Sequence, residues 1–365
     1  MSRQIESQGD SGRIDRIPVR NLWLLMLYAS QLYRELGKSD VAVEEAPDEI
    51  PDLVANILSR EVERRLKRNL THGFQRQHRV LSRVRGRIDA LFTERRQLLD
   101  RGLIACRFDE LTPDTPRNRY VKAALSTLAL VVNQQALAHR CRLLARELGF
   151  LGVADSKPNY RDVSLDTVGR HQGHDLPMIH AARLAFDLAL PTETAGGFRL
   201  PVPGRDAHWV RLLYEKAVAG FYDVALAGSG WHVIAGRQLH WPTQESTPGI
   251  DGILPSMKTD IVLNHPARGS RLVIDTKFTE ILKPGWYRSE SLHSGYLYQI
   301  YAYLRSQEES DSMAGTASGL LLHPAVDTHV DEGTVIQGHR IRFATVDLAA
   351  PAREIRERLL EMVPG

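Results

Sequence analysis

The chain has 365 residues, of which 43% are hydrophobic and 25% charged, with a net charge of +3. These values are ordinary for a soluble globular protein of one large domain or two medium ones. Its two cysteines, Cys106 and Cys141, form no CxxC pair, which argues against a disulfide framework or a zinc site and fits a reducing cytoplasm. The opening MSRQIESQGDSGRID is polar and carries acids, unlike a secretory or transit peptide. The longest apolar runs, 22–29 and 123–132, fall far short of a membrane span, so no membrane association is expected.

Taken in order, residues 1–16 read as a disordered amino terminus. Residues 21–36 read as a helix apolar on most faces, through Leu22, Trp23, Leu24, Leu25, Met26, Leu27 and Tyr28. Such a helix is buried in its own domain or against a partner. It stops at Gly37. The tripeptide Gly37-Lys38-Ser39 is not the tail of a phosphate-binding loop: the place of the earlier glycine holds Leu32, and such a loop follows a strand. A helix C-terminal glycine is expected instead. This chain is therefore not expected to hydrolyse nucleotide itself.

Residues 51–68 form a second predicted helix. The next stretch is strongly basic, with Arg76, Arg79, Arg83, Arg85, Arg87, Arg95, Arg96, Arg101 and Arg107. Either it contacts nucleic-acid phosphates or an acidic partner, or it is a solvated face diluted by Asp89, Glu94, Asp100, Asp109 and Glu110. Residues 117–148 form one long helix or two in series, and 176–190 another. Residues 191–205, PTETAGGFRLPVPGR, lack periodicity and are rich in Pro and Gly, which marks a domain boundary. The expected division is 1–16 disordered, a mostly helical domain with a small β portion over 17–195, and a second domain over 205–365.

That second domain alternates helix and strand: a helix at 207–227, strands at 231–239, 257–264 and 271–278, a helix at 290–305, strands at 319–323 and 339–346, and a helix at 352–362. The order gives an α/β domain with a mixed central sheet flanked by helices. Two of its strands each carry a carboxylate in an apolar run, Asp260 before Ile261-Val262-Leu263 and Asp275 after Leu272-Val273-Ile274. Strand side chains alternate, so Asp275 and Lys277 share one face. Charged groups at the end of a buried strand are costly unless paired or metal-bound. Two carboxylates with waters and phosphate oxygens suffice for a hard divalent cation, and the set suggests phosphodiester hydrolysis. The plain alternative is a solvated strand end.

Glu215, in LLYEKAV, either faces the sheet as a third carboxylate or is a solvated helix residue. Gln299 and Tyr303 stand four apart on one helix face, placed to hold a phosphate or a metal-bound water, or to cap a packed helix. His293, His323 and His329 lack metal-type spacing and read as structural. Lys258 and Lys283 are candidates for the DNA backbone.

The order Glu215, Asp260, Asp275-Thr276-Lys277, Gln299-x-x-x-Tyr303 resembles the PD-(D/E)XK nuclease superfamily in its RecB-like form. The proline of the first motif is absent, Thr259 standing before Asp260. More narrowly the chain resembles the McrC family, nuclease subunits of McrBC modification-dependent restriction systems. The likeness runs through IPVRNLWLLMLYA, RVRGRID, FDELTPDTPRNRYVKAAL, LLYEKAV, MKTDIVL, LVIDTKF, YLYQIYAYL and LLLHPAVDT.

The resemblance implies a PD-(D/E)XK endonuclease domain over 205–365 that cleaves double-stranded, methylcytosine-containing DNA. One or two Mg²⁺ would be held by Asp260, Asp275 and Glu215, with Lys277, Gln299 and Tyr303 completing the catalytic set. It also implies an McrB-like AAA+ GTPase ring as partner, whose hydrolysis the domain over 17–195 stimulates. Two alternatives stay open: a non-cleaving activator of such a motor, and a RecB-like nuclease working with an unrelated motor.

Overall fold

The computed structural model describes residues 17–37, 49–165, 175–193, 206–284, 290–308, 313, 315–325 and 328–364. The expected disordered terminus, 1–16, and 194–205 of the expected boundary lie outside the described residues. Two compact units divide the chain: 51–189 form one, and the residues up to 50 join those from 190 onward in the other.

The chain enters through α1 (Val19–Ala29) and α2 (Gln31–Leu36). The single helix expected over 21–36 is split at Ser30, which is extended and caps α2 by accepting a hydrogen bond from Tyr33 N. Gly37 closes α2 at φ +65°, the left-handed half of backbone space that glycine enters without a Cβ penalty.

The unit 51–189 starts with α3 (Ile50–Lys67) and continues through β1 (Gly73–Leu81), β2 (Arg87–Ile88), α4 (Ala90–Arg95) and β3 (Ile104–Thr112). The strands form an antiparallel sheet in the order β1-β3-β2. It is completed by α5 (Pro116–Val131), α6 (Gln135–Phe150), α7 (Tyr160–Leu165) and α8 (Leu176–Glu193). Local chemistry sets the joints. Thr115 accepts from Asn118 N at 3.2 Å and Pro116 takes the first helical position, so α5 starts there. The Asp52 carboxylate accepts from Asn133 N at 2.8 Å, at the break that makes two helices of 117–148.

The other unit resumes with α9 (Asp206–Ala225) and runs through β4 (His232–Ala235), β5 (Gln238–Leu239), β6 (Met257–Lys258), β7 (Ile261–His265), β8 (Ser270–Thr276), β9 (Leu282–Pro284) and β10 (Glu290–Leu292). It ends with α10 (Ser294–Arg305), β11 (Ser318–Pro324), β12 (Asp331–Ile336), β13 (His339–Val346) and α11 (Ala352–Glu361). Its sheet is mixed and six-stranded, ordered β12-β13-β11-β8-β7-β4, with β8-β11 and β11-β13 parallel and the remaining pairs antiparallel. The β8 and β7 strands lie inside it, and their apolar residues Leu272–Ile274 and Ile261–Leu263 are buried, as central strands covered on both faces require. One core gathers Val262, Val273, Leu321 and Phe343 under Ile300, Tyr303 and Leu304 of α10.

Several expectations need correction. The domain drawn over 17–195 assigned α1 to the wrong neighbour. This helix packs along α9 of the carboxy-terminal unit, and Asn21 Nδ2 donates to Leu348 O and Ala350 O at 2.7 and 3.0 Å. The crossing is close. A Cβ on Gly220 would stand 1.9 Å from Tyr28 O, so only glycine fits there. The strand expected over 231–239 is two strands, and that over 257–264 is interrupted at Thr259–Asp260. There Gly236 N donates to Asp260 O and Thr259 N to Arg237 O, and the chain passes from the small β5-β6 ribbon into the main sheet. Residues 290–292 pair with β9 rather than opening a helix. The edge strand β12 was not expected at all.

Candidate active site

The main sheet brings its two carboxylates to one end. In the β7-β8 register Ile261 faces Ile274, so Asp260 and Asp275 are the next residues across, just where β7 begins and β8 ends. Asp260 is half-buried and anchored, its Oδ2 accepting from Thr276 N at 2.7 Å and Thr276 Oγ1 at 2.8 Å. Asp275 is 1% exposed, with Lys277 Nζ 2.8 Å from its Oδ2. Alternation has put this acid and this lysine on one face, as the sequence pattern requires.

From Lys277 a polar chain runs onto α10. Lys277 Nζ donates to Gln299 Oε1 at 3.0 Å, and Gln299 Nε2 donates to the Tyr303 hydroxyl at 2.6 Å. The i, i+4 spacing aligns Gln299 with Tyr303, and packing of α10 over β8 and β11 delivers the pair to Lys277. Gln299 thus touches the lysine rather than standing free to meet a phosphate.

The electrostatics are those of a site short of positive charge. Burial pushes Asp275 up to about 6; Lys277 pulls it down, and Asp260 pushes it further up. Glu215, half-buried on α9, is also raised, first by desolvation and then by Asp260. Burial raises Tyr303 too, while its bond to Gln299 opposes the shift. An ionised Asp275 is therefore a cost that one lysine only partly offsets, and its Oδ1 has no hydrogen-bond partner among the described residues.

A buried carboxylate oxygen without a donor, beside a second carboxylate, fits a hard divalent cation completed by waters and phosphate oxygens. No group of three or more His, Cys, Asp or Glu stands close enough to hold a metal among the described residues. Glu215 therefore lies within Coulombic reach of Asp260 without joining a three-carboxylate cluster.

Five residues around this chain lie outside the expected catalytic and metal-binding set. Tyr296 lies with its ring centroid 5.0 Å from Lys277 Nζ, and its i, i+3 spacing to Gln299 was a readable signal. His293 and His323 pack against that ring. Burial lowers His323 to about 4, so it is a neutral side chain, in accord with its structural assignment. Arg211, one turn before Glu215, lowers both Asp275 and Glu215. Lys258 is exposed and acts on Glu215 in the same sense.

Residues 3–177 match the model of a family described as McrBC 5-methylcytosine restriction system component. Over 349 residues the chain is 26% identical to the type IV methyl-directed restriction enzyme EcoKMcrBC of Escherichia coli K12, spanning 95% of this chain and 97% of that protein. Two solved structures are also similar. A half-complex from the tetradecameric assembly of Thermococcus gammatolerans McrB AAA+ hexamers with bound McrC matches at 14% identity and a TM-score of 0.41, over 86% of this chain and 68% of that one. The Thermococcus gammatolerans McrBC complex matches at 13% and 0.32, over 46% and 51%.

By fold this is a mixed α/β protein with a buried acid–lysine pair at the end of a central strand. Its residues 3–177 match the McrBC restriction-system component family, and nearly its whole length is similar to a type IV methyl-directed restriction enzyme. Among the described residues no helix is long and apolar enough to cross a membrane.

Proposed function

We propose that this chain is the Mg²⁺-dependent endonuclease subunit of an McrBC-like restriction system, built on a PD-(D/E)XK domain and cutting double-stranded DNA that carries modified cytosine. The observation that carries the reading is the connected set Asp260, Asp275, Lys277, Gln299, Tyr303 at one end of the sheet. The family supports the system, and near full-length similarity to a type IV methyl-directed restriction enzyme supports DNA as substrate. The motor is a separate chain, an McrB-like AAA+ GTPase ring whose GTP hydrolysis this subunit stimulates. The helix end at Gly37, where a phosphate-binding loop would need a strand before it, supports that division of labour.

In this mechanism Asp260 and Asp275 would hold the cation, and Glu215 adds negative charge nearby. A Mg²⁺ ion held there would supply a water of lowered pKa and offset charge on the phosphoryl oxygens. Thr276 fixes the Asp260 carboxylate through two hydrogen bonds, so ligand orientation is set before substrate arrives. Lys277 keeps its ammonium beside Asp275, where it orients the attacking water or stabilises the charge building on phosphate. Gln299 accepts from Lys277 and donates to Tyr303, which locks the amide and aims the lysine. The burial of Asp275 and Lys277 keeps bulk water from screening them.

The test is plasmid cleavage by the chain purified with its native partner, with GTP and with Mg²⁺ or EDTA, on cytosine-methylated and unmethylated DNA. Cutting of the methylated plasmid in Mg²⁺ alone supports the reading. Faster GTP hydrolysis without any cutting would replace it with a non-cleaving activator.

A further inference from the structure

Lys277 is held on three sides. Asp275 and Gln299 take it through polar contacts of 2.8 and 3.0 Å. The third contact differs in kind, for it is the face of an aromatic ring: the Tyr296 centroid is 5.0 Å from Nζ. An ammonium within about 6 Å of a ring centroid is attracted by the ring quadrupole, more strongly where water is excluded. Lys277 is buried, so the condition holds.

The ring is itself held. It contacts the His293 ring at 4.7 Å and the His323 ring at 5.9 Å, and it packs against the core under α10. His323 is tethered through Nδ1 to Thr279 O at 2.9 Å. Because burial lowers its pKa to about 4, it places no like charge beside the lysine. Tyr296 and Gln299 leave α10 one turn apart, so a single rigid helix presents both the ring and the amide to one ammonium.

We propose that Tyr296 is a positioning residue for Lys277, its ring face rather than its hydroxyl fixing where the ammonium sits between Asp275 and Gln299. The inference rests on the nuclease reading above. An aliphatic side chain at 296 would leave Lys277 its charge and both polar partners but free it to explore other rotamers. A smaller share of bound complexes would then hold the lysine in its working position. The loss belongs in kcat, because the contacts that bind DNA are untouched.

The experiment compares wild type with Tyr296→Phe, Tyr296→Leu and Tyr296→Gln. It measures kcat and KM for cleavage by the partner-assembled complex, Tm of each chain, and calorimetric titration of each chain with Ca²⁺ alone. The Phe variant should stay within about twofold of wild type, whereas Leu and Gln should lose about tenfold in kcat. Their KM, Ca²⁺ affinity and Tm should be unchanged. The inference is overturned if Leu and Gln cut at the wild-type rate, if Phe falls as far as Leu, or if the loss appears in KM or Ca²⁺ affinity. It is equally overturned if Leu and Gln both fail to fold, since the ring would then serve packing. Each of those results leaves the nuclease reading standing when wild type cuts. A wild-type complex that never cuts removes that reading, and this inference with it.

Discussion

The two larger sheets of this protein treat charge in opposite ways. The β1-β3-β2 sheet of the unit 51–189 and the segments joining its strands carry a crowd of arginines, and the nine singled out from the sequence are all exposed. Those that pair do so at the surface: Arg79 and Arg85 with Glu110, Arg107 with Asp89, Arg76 with Asp109 at 3.8 Å. The six-stranded sheet has few charges at its centre, yet Asp275 and Lys277 are 1% and 6% exposed. An exposed pair is nearly neutral in energy, whereas a buried pair must be held against desolvation. The lesson is that burial, not abundance, marks where charge is being used.

The comparison breaks most sharply at Lys277. Replacing it with Ala should lower cleavage by about 10³-fold, the scale of losing a general-acid or electrostatic group. It should also cost about 3–5 kcal/mol of stability above pH 7, because Asp275 is left as an uncompensated buried charge. Denaturant titration at pH 8 and pH 5 checks this: the cost should shrink at pH 5, where Asp275, already raised to about 6, protonates.

Gly220→Val tests the frame behind the site. The new Cβ would meet Tyr28 O, so α1 must leave α9 and stability should fall by about 4 kcal/mol, read as a lower denaturation midpoint. For the same reason a fragment of residues 205–365 alone should be insoluble, since it exposes the α9 face that α1 covers.

His323 sharpens the comparison through pH. Its folded value of about 4 lies below the ordinary 6.5, so the stability tied to the neutral ring is present above pH 6.5. That contribution is lost as pH falls to 4 and amounts to about 3 kcal/mol. His323→Leu should flatten this part of the stability profile. Arg76→Ala and Arg79→Ala should be the quiet controls, with no resolvable change in Tm.

Much of the site was legible because it broke a local rule. Asp275 and Lys277 stand at the end of a run that burial otherwise keeps apolar, and Gln299 and Tyr303 announce themselves by helical spacing. Glu215 was readable as a candidate, but its Coulombic coupling to Asp260 depends on how α9 lies. The break at Thr259–Asp260 was hidden, since it is made by hydrogen bonds from Gly236 and to Arg237, more than twenty residues back.

The partner of α1 was hidden too. A helix apolar all round declares that it is buried, not against what; only Gly220, a small residue inside a long helix, hinted at a close crossing. β12 reads as polar because it is an exposed edge, its pattern carrying no apolar alternation to detect.

The most direct test of the central claim, that the buried acid at the end of β8 is the cutting centre, is Asp275→Ala in the assembled complex. Cleavage of methylated plasmid and GTP hydrolysis by the partner would be measured on the same samples. The account predicts loss of cutting below detection with GTP hydrolysis and complex assembly unchanged. Cutting at the wild-type rate by the mutant would contradict it.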